Sequence, residues 1–224
     1  MPSKSYLNFL NLIKDVDELI DAYEVLSSAT PPRRNLGCIS RGGILMLCAS
    51  WEFFMEELLL ESIELLNAEG ISISCLPGSV KKRISLKISD DKNDIKAFDL
   101  AESGWRSLWK VYAKLDTELL NTPNQEKLDI LYNRYLGISS ISQSWTTYSA
   151  DEINLFIRTR GKIAHKGRSV KGIKITTLRS YFDMIKNTAV DVDSFLSLEI
   201  KNIYCLKAIP WSRTYFGERS LSVL

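Results

Sequence analysis

Apolar residues recur along most of the chain in steps of three and four, the spacing of an amphipathic α-helix. From Tyr6 to Ser28 they fall at Leu7, Leu10, Ile13, Val16, Leu19, Ile20, Tyr23 and Leu26, with Asp15, Asp17, Glu18 and Asp21 on the wet side. Thr30-Pro31-Pro32 ends this helix, because proline supplies no N–H and biases its predecessor away from helix. A short basic loop, Arg33-Arg34 and then Arg41-Gly42-Gly43, leads into the most hydrophobic segment. From Ile44 to Asn67 apolar side chains occur nearly all round, as in the central member of a bundle.

Gly70 is placed to cap that helix, and Ile71 to Leu76 alternates weakly enough to be extended. Pro77 to Asp94 reads as a short helix and an exposed loop. Its basic half, Lys81-Lys82-Arg83 and Lys87, suits either nucleic acid or plain solvation. Ile95 to Leu120 reads as helix, with Gly104 kinking or splitting it. Another helix runs from Gln125 to Leu136 and stops at Gly137, and the Ser/Thr-rich stretch from Ile138 to Tyr148 reads as a loop. Ser149 with Glu152 three residues on makes a capping box for a helix that ends near Gly167. A last helix spans Thr176 to about Ile200. The pattern predicts one all-α domain of five to seven helices over residues 1–203, and an aromatic tail over 204–224. Trp211, Tyr215 and Phe216 suit that tail to packing on its own domain or on a second subunit.

Composition narrows the function classes. The 224 residues are 45% hydrophobic and 25% charged, and the formal net charge is only +2. A nucleic-acid footprint therefore has to come from local charge. Cys38, Cys48, Cys75 and Cys205 are widely spaced, and one histidine completes no zinc ligand set, so no metal or cofactor is expected. Cys48 reads as a buried free thiol, which fits a reducing, cytoplasmic setting. Met-Pro-Ser-Lys-Ser-Tyr has no apolar signal core, and the charge-free run Gly42 to Trp51 is too short to span a bilayer.

The chemistry concentrates in Ile157 to Gly167. This stretch holds His165, the single histidine, together with Arg158 and Arg160. A histidine takes and gives a proton near neutral pH, and arginine presents a donor fork that suits phosphate. From Ile153 to Phe182 there is no acidic residue, while Arg158, Arg160, Lys162, Lys166, Arg168, Lys171, Lys174 and Arg179 supply eight cations. That window suits a polyanion unless acids of other helices cancel it. On an ideal helix Arg160 and His165 lie roughly 140° apart around the axis, whereas Arg158 and His165 nearly eclipse. On the hydrophobic helix Glu52, Glu56 and Glu57 read either as a wet stripe or, for Glu52, as an inward acid that orients an arginine.

Arg160-Gly161-Lys162-Ile163-Ala164-His165-Lys166-Gly167 resembles the Arg-x4–6-His signature of the HEPN superfamily, and most closely its RiboL-PSP type. Ala49-Ser50-Trp51-Glu52-Phe53-Phe54 resembles the Trp-Glu helix of those proteins, and the order of parts, with a loop led by Trp145, is similar over residues 6–200. The resemblance implies a metal-independent endoribonuclease. In this reading His165 is the general base or acid for attack of the ribose 2′-OH on the adjacent phosphate, and Arg160 is the phosphate clamp. Arg158, Lys162, Lys166 and Arg168 are further phosphate contacts, and Glu52 is an orienting acid. It also implies a homodimer with a composite cleft, 2′,3′-cyclic phosphate products, RNA as partner, and a toxin or defence role with a possible antitoxin or partner protein. Two positions depart from the pattern. Gly161 stands where relatives commonly carry Asn or another polar residue, which opens the alternative of an inactive RNA-, nucleotide- or protein-binding module. Gly167 stands where relatives paired with a nucleotidyltransferase antitoxin have Tyr.

Overall fold

The computed structural model describes residues 1–29, 35–167, 170 and 172–212. Among them are eight α-helical segments: α1 (Lys4–Leu12), α2 (Lys14–Ser28), α3 (Gly37–Ala68), α4 (Gly78–Ser89), α5 (Gly104–Thr117), α6 (Gln125–Leu136), α7 (Ala150–Lys166) and α8 (Ile175–Ile203). α1 and α2 are parted only by Ile13, whose side chain is buried, so they behave as one bent rod in an all-α bundle of seven. No strand occurs among the described residues.

α3 is the axis. It packs on α1, α2, α5, α6, α7 and α8, which is why its sequence is apolar on nearly every face. Trp51, Phe54, Met55, Leu58 and Leu59 are all fully buried. The helix begins at Gly37 rather than at Ile44, so Arg41-Gly42-Gly43 is helical and not a loop. Packing is the reason: a Cβ on Gly43 would come within 2.4 Å of Leu178 Cδ2, so the bare backbone lets α8 lie directly on this turn.

The stretch from Ile95 to Leu120 divides at Gly104. A 3₁₀ turn at Lys96–Leu100 precedes α5, and a Cβ on Gly104 would meet the Asp99 carbonyl oxygen at 2.0 Å. The Ser/Thr-rich loop after α6 packs on the bundle. Its 3₁₀ turn, Ile141–Ser144, is anchored by Ser142 N donating to Asp129 Oδ1 at 2.9 Å, and Ile141 and Trp145 are buried. The short segment after α3 is likewise a 3₁₀ turn, Ile73–Cys75, rather than a strand.

The chain beyond α8 folds back on its own bundle as far as it is described. Tyr204 is buried and donates to the Leu136 carbonyl at 3.2 Å, and Trp211 Nε1 donates to the Asp193 carbonyl at 2.8 Å. Tyr215 and Phe216 lie outside the described residues. Cys48 is buried. No helix among the described residues is long and apolar enough to cross a membrane.

One face of α3 carries electrostatic strain. Burial pushes the Glu56 carboxyl up to about 7 from an ordinary 4.5, and Glu52, Glu57 and Glu118 push it the same way. Its folded value lies above its unfolded one, so the folded state is favoured while Glu56 is protonated and loses that advantage as pH rises from about 4.5 to about 7. Glu56→Gln is therefore expected to raise stability at about pH 8 by about 1 kcal/mol, after discounting for the half-exposed position, and to change little near pH 4.5. Urea midpoints at the two pH values check this. An equal gain at both would refute it.

Candidate active site

The site is built on α7, and the local sequence explains where that helix begins and ends. Ser149 Oγ accepts from the Glu152 N–H at 3.3 Å, while Glu152 Oε2 accepts from the Ser149 N–H at 2.8 Å, so the capping box is formed. At the other end Gly167 has φ +51°, and its N–H closes the last turn on the Ile163 carbonyl. That φ disfavours a residue with a Cβ, so the chain turns away two residues after His165.

The buried face of α7, Ile153, Phe156, Ile157 and Ile163, holds the helix against the bundle. Phe156 packs on Tyr181 of α8 with ring centroids 5.1 Å apart, and the Thr159 and Tyr181 hydroxyls are 3.3 Å apart. Asn154 Oδ1 accepts from the Gln125 N–H at 3.1 Å, tying α7 to the start of α6. On the α3 side Trp51 meets Trp145 edge to face at 6.4 Å, and its Nε1 donates to the Pro123 carbonyl at 3.4 Å. Trp51 and Trp145, far apart in sequence, thus form one contact beneath the site.

α7 is continuous through Arg160 and His165, so the two side chains leave it in different directions, as the roughly 140° offset requires. Arg160 is half-buried and turns toward α3. Burial raises the Glu52 carboxyl above its ordinary value, and Arg160 is the first charge that pulls it back, followed by Lys127. Burial also pushes the Cys48 thiol up to about 12, with Arg160 lowering it and Glu52 raising it. Arg160, Glu52 and Cys48 therefore act on one another electrostatically. Glu52, like Glu56 and Glu57, is half-buried.

His165 is exposed in the last turn of α7 and shares its outward face with Arg158 and Lys162, both exposed. Lys166 is exposed beside it. Arg168 lies outside the described residues. Arg158, Lys162 and His165 thus lie on the exposed side of α7, while Arg160 is half-buried and its charge acts on Glu52 and Cys48. Within the cationic window, Arg179 pairs with Glu24 of α2. Among the described residues no group of three or more His, Cys, Asp or Glu side chains is placed to hold a metal ion.

Lys127 is the residue that the chain pattern did not single out. It sits in the first turn of α6, and its charge acts on Glu52. The stripe Lys127, Ile130, Leu131, Arg134 was the available signal, since these residues share one helix face.

Gly161 is half-exposed, with no atom within 4 Å of an added Cβ. Gly161→Ala is therefore expected to stabilise the helix by about 0.5–1 kcal/mol, the usual cost of a mid-helix glycine. A denaturant midpoint that fell instead would show that close approach, not helix propensity, governs this turn.

An all-helical bundle around a buried Trp-Glu helix, with a cationic helix ending just past its histidine, is the class of protein that these elements define. The sequence model of the RiboL-PSP-HEPN family matches residues 8–198, and the chain belongs to that family, within the HEPN superfamily. HEPN domains are often ribonucleases, and they often bind RNA and dimerise. No curated protein matches the chain, and no solved structure does.

Proposed function

We propose that this protein is a metal-independent endoribonuclease that acts as a homodimer in the cytoplasm, as a toxin or defence effector. The observation that carries this reading is the layout of α7. An exposed His165 and a half-buried Arg160 held beside Glu52 sit on one acid-poor helix but face different ways. A second α7 brought alongside places the histidine of one copy with the arginine of the other. In that composite cleft one His165 takes the proton of the ribose 2′-OH, and the 2′ oxygen attacks the adjacent phosphorus. The P–O5′ bond breaks, and the other His165 returns a proton to the leaving 5′ oxygen. Arg160 holds the charge that develops on the phosphate. Glu52 orients Arg160. Arg158, Lys162, Lys166 and Arg168 bind neighbouring phosphates. The products are a 2′,3′-cyclic phosphate and a 5′-OH.

Cleavage of single-stranded RNA in EDTA, with end-group analysis, tests this reading. It expects cleavage by the wild type with cyclic phosphate ends. An intact dimer that binds RNA and cuts none at any pH would replace it with a second reading, a binding module for RNA, nucleotide or a partner protein. The open position at Gly161 favours that second reading, because glycine offers substrate no side-chain hydrogen bond. Under it, Gly161→Asn is the first change to try for cleavage.

A further inference from the structure

A second cationic surface lies outside α7. Between α4, α5 and α6 a groove of about 380 Å³ is lined by Arg83, Lys87, Lys127 and Arg134, with Leu119 and Ile130 among its apolar residues. Four cations there face one carboxylate, Asp116. Asp116 is already committed. Lys87 Nζ lies 2.8 Å from its Oδ1, Arg83 Nε donates to its Oδ2 at 3.1 Å, and the Tyr135 hydroxyl donates to Oδ2 at 2.7 Å. Burial works against that carboxylate, but these three partners together hold it below its ordinary value. The contacts fix Arg83 and Lys87 at the groove wall and leave the groove with excess positive charge. Lys127 and Arg134, seven residues apart on the same face of α6, are exposed and are in none of the salt bridges among the described residues. Leu119 is 72% exposed and Ile130 41%, so the groove also offers apolar surface to water.

The groove adjoins the α7 site. Lys127 lines it and also acts on Glu52, the carboxyl that Arg160 acts on from α7. We propose that this groove is a second RNA-backbone site that binds phosphates flanking the one held at α7. This rests on the ribonucleic-acid reading of α7 and extends it to a substrate longer than the reacting dinucleotide. Single-stranded RNA suits the chemistry. Lysine and arginine meet its phosphates, and the guanidinium planes of Arg83 and Arg134, with the apolar side chains, give splayed bases faces to lie on. The groove reads backbone rather than sequence.

Lys127→Ala/Arg134→Ala in a His165→Ala background tests it, by fluorescence anisotropy with labelled RNA of about 16 nucleotides and with a dinucleotide. Between about 50 and 200 mM salt the double change should lower the slope of log affinity by about 1.4, two contacts at about 0.7 each for a single strand. Affinity for the long RNA should fall about tenfold, with the melting temperature unchanged. A variant that binds the long RNA with unaltered slope and affinity overturns the proposal. So does a wild type that binds no RNA, or one that retains a poly-glutamate peptide in preference to RNA, which would assign the groove to an acidic protein segment. The two readings fail separately. RNA bound with the full slope but never cleaved removes the nuclease and leaves the groove, whereas cleavage with an unaltered slope removes the groove alone.

Discussion

Replacing His165 with alanine is expected to lower RNA cleavage by about 10²–10⁴-fold, the usual contribution of a positioned proton-transfer group, and to leave the fold intact. The second half of that expectation follows from position. His165 is exposed in the last turn of α7, whose anchoring residues, Ile153, Phe156, Ile157 and Ile163, lie on the other face. Removal of the imidazole opens no cavity and strands no buried partner, so circular dichroism and the melting temperature should match the wild type. The chain has one histidine, and the structure offers no second imidazole to take over. In a dimer each change removes both histidines, the base of one half-reaction and the acid of the other. Cleavage in EDTA that continues at the wild-type rate would remove His165 from the chemistry. A lost melting transition would instead mean that the last turn of α7 supports the bundle, and Arg160→Lys would then carry the test, since lysine keeps the charge and loses the guanidinium fork.

The largest expected effect on stability is at Trp51. This side chain is fully buried on α3, edge to face with Trp145 at 6.4 Å, tilted on Phe54 at 6.0 Å, and donates from Nε1 to the Pro123 carbonyl. Trp51→Ala is expected to cost about 3–5 kcal/mol, from lost transfer free energy and the cavity left between α3 and the loop before α7. A net stability of about 5–15 kcal/mol is typical of a domain, so the loss is a large share of the whole. Urea unfolding checks it. A cost below about 1 kcal/mol would mean that the surrounding helices collapse into the space. Trp51→Phe should recover part of the loss, because it refills most of the volume without the indole N–H.

Much of this was legible in the chain. The 3.6-residue period marks five to seven rods, since each helix hides one stripe in a common core, and α3 stands apart because it packs on six other helices. The limits of α7 were readable to the residue, as a capping box and a terminal glycine are local devices whose partners lie within a few positions. Sequence and structure differ where distant contacts decide local structure. Arg41-Gly42-Gly43 looked like a loop because glycine is a poor helix former, yet Gly43 is what admits Leu178 of α8. The Ser/Thr-rich stretch before α7 reads only as a loop, yet Asp129 and the Trp51–Trp145 contact tie it to the core.

The candidate site divides in the same way. Its inventory, one histidine and a run of cations without acids, is a property of the sequence, because composition and spacing along one helix are set without reference to the rest of the fold. Its electrostatics are not. That Arg160 turns inward to Glu52 while His165 faces out follows from how α7 docks on α3, and that Lys127 reaches the same carboxyl follows from where α6 starts. Both depend on residues far apart in the sequence, Arg160 and Lys127 on α7 and α6 and Glu52 on α3. Only close packing of the folded chain brings such charges within range of each other, and periodicity along one segment carries no information about it.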